Sequence, residues 1–77
     1  MSAQNHTAIH DLDVRDLEPP EPMQRALEAI AQLAPGEQLR MRHHREPFPL
    51  YTILSERGFS HRTTQLADDS YEILIWQ

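Results

Sequence analysis

Seventy-seven residues allow one domain, and the absence of cysteine excludes thiol catalysis and any disulfide staple. A formal net charge of −5 speaks against a general nucleic-acid binder, which presents a basic face, and reads instead as solubility. No apolar run approaches the roughly 18 residues of a membrane span, and the N-terminus lacks a secretory signal's basic start and apolar run, so a cytoplasmic protein is expected.

Residues 1–7 are polar and are expected to form a flexible tail ahead of a single domain over 8–77. Ala8 to Val14 reads as a short edge strand, with Ile9, Asp11 and Asp13 on one parity and His10, Leu12 and Val14 on the other. Leu17 to Met23 holds three prolines, which suit the first turn of a helix and little else in regular structure. Met23, Ala26, Leu27, Ile30, Leu33 and Ala34 then recur at three- and four-residue steps, which predicts a helix with one apolar stripe. Gln24, Arg25, Glu28 and Gln32 fall on its other face, Glu18 and Glu21 complement its dipole, and Pro35-Gly36 should end it.

Gln38 to His44 alternates Leu39, Met41 and His43 against Arg40, Arg42 and His44, the pattern of a half-buried strand. Pro47 and Pro49 repeat the proline-led helix entry. A second helix of about two turns should follow, with Leu50, Ile53, Leu54 and Arg57 on its inner face and Gly58 just past its end. Phe59 to Leu66 is a polar strand, Ala67-Asp68-Asp69-Ser70 is turn chemistry, and Tyr71 to Gln77 is the most apolar strand. The order is β-α-β-α-β-β. A right-handed first crossover makes the first two strands parallel, and the apolar last strand belongs in the sheet centre, antiparallel between the second and third. The predicted fold class is α+β, an α/β two-layer sandwich: a four-stranded mixed sheet with two helices on one face.

Leu12-Asp13-Val14-Arg15-Asp16-Leu17, Pro19-Pro20-Glu21-Pro22 and Leu33-Ala34-Pro35-Gly36-Glu37, in that order, resemble the TusA/SirA-like sulfur carriers over about residues 9 to 77. The segment Pro47 to Tyr51 looks more like an uncharacterised branch, a domain of unknown function, than like the carriers themselves. The resemblance implies the same β-α-β-α-β-β sandwich and places the carriers' Cys-Pro-x-Pro motif at Pro19, Pro20, Glu21 and Pro22. The carrier cysteine falls at Pro19, which cannot form a persulfide. Three prolines also remove backbone donors there and two glutamates supply negative charge. The site is therefore expected neither to relay sulfur nor to hold anions well.

Five histidines are many for this length. His43 and His44 are adjacent on a strand and point to opposite faces, so they do not chelate one metal together. His44 and His61 are the weak metal candidates, at about 10 Å across a central strand; scattered histidines without a metal are the favoured reading. Asp13 with Arg15 reads as a brace at the strand end rather than as catalytic carboxylates. Phe48, Tyr51 and Phe59 read as core and rim packing, since so small a domain has little interior to spare for a ligand.

Arg40 and Arg42, with Glu72, Leu74 and Trp76, should form the outer face of the sheet. Trp beside Arg is the composition of binding hot spots, and Arg can stack on the indole. The favoured function is accordingly a non-catalytic protein-interaction or regulatory module, without cofactor. Its partner would be another protein or a second copy, met on the open sheet face, with no membrane and with nucleic acid a minor option. The alternatives are an accessory in sulfur or metal handling that uses the histidines, and last a sulfurtransferase.

Overall fold

The computed structural model describes residues 8–77; the tail expected over 1–7 lies outside them. The elements are β1 (Ile9–Asp13), α1 (Glu21–Ala31), β2 (Gln38–His43), α2 (Phe48–Glu56), β3 (Ser60–Gln65) and β4 (Tyr71–Trp76). The sheet runs β1-β2-β4-β3. β1 pairs parallel with β2, while β4 lies antiparallel to both β2 and β3. The predicted order, the central place of the apolar last strand and the two-layer α+β arrangement are all present.

Alternation on the two central strands separates the faces. Leu39, Met41, Ile73 and Ile75 are buried, and they form one cluster with Val14, Ala26, Ile30, Leu50 and Leu54. That cluster joins the sheet to both helices, so the helices share a face. Fully burying an aliphatic side chain contributes roughly 1.5–3 kcal/mol, and this cluster is the main driving force of a chain without covalent staples. Among the described residues no helix is long and apolar enough to cross a membrane.

Three local readings need correction. α1 stops at Ala31 and does not reach Ala34. The N–H groups of Gln32 and Leu33 bond three residues back, to Ala29 and Ile30, so the last turn tightens before Pro35. Arg57 does not line the core: it is the exposed residue that caps α2. Gly58 follows at φ +81°, its N–H reaching Ser55 O while that of Phe59 reaches Leu54 O. This is a Schellman ending, and it needs a residue that accepts positive φ. Phe48 is 64% exposed rather than packed inside, because it sits on the first turn of α2 with its edge against Tyr51.

Candidate functional site

Parallel strands send their following helices from the same end of the sheet. β1 leads to α1 through Pro19, Pro20 and Pro22, and β2 leads to α2 through Pro47 and Pro49. The two proline-led helix starts therefore meet over the carboxyl ends of β1 and β2, the position where open α/β sheets hold ligands. Between them lies a cleft of about 270 Å³, walled by these five prolines and by Met23, Met41, His43 and Leu50, with Arg45 and Glu46 also contributing. The Pro19–Pro20 peptide is cis.

The prolines act differently from position to position. α1 begins at Glu21, so Pro20 is its cap and Pro19 stands outside it; Pro22 alone occupies the first turn. The Glu21 N–H bonds Glu18 O and the Gln24 N–H bonds Pro20 O. At α2 the Phe48 N–H bonds Glu46 O and the Leu50 N–H bonds Pro47 O. Few free donors are left at either helix start.

His43 is 7% exposed. Its Nδ1 accepts the backbone N–H of Arg45 at 3.2 Å. Burial, with the nearby His44 and Arg45 charges adding to it, holds its pKa below the ordinary imidazole value. A neutral ring whose Nδ1 accepts carries its proton on Nε2. On the other side of α2, Tyr51 gives its hydroxyl proton to Glu46 at 3.0 Å and accepts from Thr63. Its ring stacks on His61, with centroids 4.1 Å apart and planes 7° apart.

The two metal candidates are not brought together. His61 pairs with Ile75 across β3 and β4, whereas β2 ends with His43 against Tyr71, leaving His44 just beyond. His61 is level with Leu39 on β2, so five residues of strand and two strand spacings separate them, about 19 Å rather than 10 Å. Among the described residues no group of three His, Asp or Glu side chains has metal-binding geometry.

On the open face the expected residues share one surface, but their pairing differs from the hot-spot pattern. Arg40 binds Asp11 through two contacts of 2.7 and 3.2 Å, and Arg42 lies 3.9 Å from Glu72. The strand neighbours of Trp76 are Gln38 and Ser60, so the guanidiniums point to carboxylates rather than to the indole. Asp13 grips Arg15 through 2.7 and 2.9 Å side-chain contacts and the Arg15 backbone N–H at 3.0 Å. Arg15's side-chain bonds first, and its backbone N–H second, pull the Asp13 carboxyl down to about 2. The brace read from the sequence is present.

Sequence reasoning set a pocket between the two helices aside, on the ground that so small a domain has little interior to spare. The signal was there: two proline-led helix entries after two parallel strands must converge on one sheet end. Strand parity makes His43 one half-buried residue among several, because it gives burial and not the neighbours across a loop.

Comparison with curated proteins and with solved structures finds no match. A family model for an uncharacterized conserved protein, DUF2249, matches residues 11–77, and the chain belongs to that family.

Proposed function

We propose that this chain is a non-catalytic interaction module that pairs with a second copy of itself through the open face of the sheet. The reading is carried by the order of side chains across that face. Strand register builds three rows: Ile9–Gln38–Trp76–Ser60, Asp11–Arg40–Leu74–Arg62 and Asp13–Arg42–Glu72–Thr64. A twofold axis parallel to the strands, between β2 and β4, lays each row on its own reverse. Asp11 then meets Arg62 of the other copy, Arg42 meets Glu72, and Trp76 meets Gln38. Such self-complementarity is what an isologous interface requires.

Size decides the strength. Four strands at about 4.8 Å and five residues at about 3.3 Å cover a footprint of about 320 Å². That is well below the roughly 800 Å² per partner of a standard interface, so the pairing is weak and salt-sensitive. The non-catalytic part rests on the sulfur-carrier resemblance together with Pro19, which stands where a relay thiol would be needed.

Sedimentation velocity from about 10 μM to about 1 mM tests this range of affinity. A concentration-dependent dimer is expected, weakened by salt, by Trp76→Ala and by Arg62→Glu. A wild-type monomer throughout, or a dimer indifferent to Arg62→Glu, overturns the reading.

A further inference from the structure

The proline cleft has chemistry that the open sheet face does not use. Five of its walls are proline rings, rigid surfaces that lose almost no side-chain freedom when covered, which lowers the entropic cost of binding. Ring C–H groups on proline are weakly positive, and the face of an aromatic ring is negative. Met23 and Met41 add polarisable sulfur, which also favours aromatic neighbours. The volume of about 270 Å³ sits just below the usual range of small-molecule sites, enough for one or two rings.

Polar groups set the head group. His43 is over nine-tenths buried, its Nδ1 is occupied by the Arg45 N–H, and its Nε2 has no protein partner among the described residues. The ring, part of the cleft wall, therefore keeps one N–H donor without a partner and no free lone pair, which suits a hydrogen-bond acceptor and not a metal ion. Arg45 and Glu46 carry opposite charges, and the Glu46 carboxylate already takes the Tyr51 hydroxyl. With the helix-start donors mostly removed or spent, an anion gains little here. A larger depression of about 360 Å³ beside β1 and α1 has Arg25 and Glu28 in its walls and no comparable buried donor.

We propose that the cleft between the two proline-led helix starts binds a small uncharged aromatic compound bearing one hydrogen-bond acceptor, the ring against the prolines and methionines and the acceptor on Nε2–H of His43.

Amide-detected NMR titration of the full chain tests this with three probes of similar shape: acetophenone, ethylbenzene and benzoate. Shifts are expected at Met23, Met41, His43 and Leu50. Acetophenone should bind about 3- to 10-fold more tightly than ethylbenzene, the difference made by one hydrogen bond, and more tightly than benzoate. His43→Phe, which keeps a ring and removes the donor, should erase the preference for acetophenone. Met23→Trp, which enlarges a half-buried wall residue and leaves His43 in the sequence, should fill the cleft and abolish binding of both neutral probes. Nitrogen-15 spectra of the His43 ring, independent of any variant, should show the Nε2–H form. Equal binding of acetophenone and ethylbenzene, tighter binding of benzoate, shifts away from the cleft, or an Nδ1–H tautomer each overturn the proposal.

Discussion

The backbone N–H of Arg45 donates to Nδ1 of His43 at 3.2 Å, so the chain itself selects the tautomer of the one buried histidine among the described residues. A protonated ring has no lone pair with which to accept that bond. His44 and Arg45 sit beside it, Glu46 also lines the cleft, and burial is the largest influence on its pKa.

Acid should therefore destabilise the fold through this one residue. The folded pKa is depressed below 6.5, so the unfolded chain takes up the proton first. The contribution of neutral His43 is whole above pH 6.5, begins to fall as the pH drops through it, and is gone below the depressed folded value. Urea denaturation between about pH 8 and pH 5 should show this slope, and His43→Phe should flatten it. Asp13 acts in a separate window: its stabilising pairing is whole above 3.8 and lost as the pH falls through about 2. A slope unchanged in His43→Phe would assign the acid sensitivity to another group.

Tyr51→Phe removes a half-buried hydroxyl shared by Glu46 and Thr63 and leaves the ring stacked on His61. Glu46 and Thr63 are only partly buried, so water can replace the lost partner. A loss of about 1 kcal/mol is expected in urea denaturation. A loss above about 3 kcal/mol would mean that the network carries more than one net hydrogen bond.

Arg42 has a buried Nε with no hydrogen-bond partner, and its contact with Glu72 is long at 3.9 Å. Arg42→Met keeps an apolar stem over the sheet and deletes the unsatisfied donor. Stability should stay within about 0.5 kcal/mol of wild type or rise, since an unpaired buried donor is a cost. A loss above about 1 kcal/mol would show that the Glu72 contact matters more than its length implies.

Two turn positions should respond in opposite directions. Asp69 holds φ +69° with its N–H on Leu66 O, and Asp69→Gly should raise stability by a few tenths to about 1 kcal/mol. Gly58 holds φ +81°, and beyond its own chain neighbours no atom lies within 4 Å of the place a Cβ would take, so Gly58→Ala meets no clash and loses only the cost of that φ, about 1 kcal/mol. Thermal melts of the two variants check the pair; shifts of the same sign would contradict the left-handed reading of one turn.

Much of the fold is legible because its signals are local. Leu39, Met41, Ile73 and Ile75 announce their buried face by simple alternation. Gly58 announces the end of α2, and Gly36 the turn before β2, through a conformation that few other residues accept. The end of α1 is not legible in this way, because Leu33 and Ala34 continue the apolar spacing after the backbone has already tightened. Nor is the exposure of Phe48, because hydrophobicity says nothing about which side of a helix start faces the sheet.

The sequence by itself determined the element order, the parallel first pair, the central last strand and the absence of any thiol. Each follows from chain-local chemistry: periodicity, proline, glycine and the handedness of a crossover. Only the tertiary structure decided what stands beside what. Arg40 and Arg42 turned from Trp76 to carboxylates because register set Gln38 and Ser60 beside the indole. The two proline stretches, separated in sequence by the whole of α1 and β2, closed into one cleft over His43 because β1 and β2 deliver their helices from the same end. Contacts between segments that far apart depend on strand register and loop path, which no residue encodes alone.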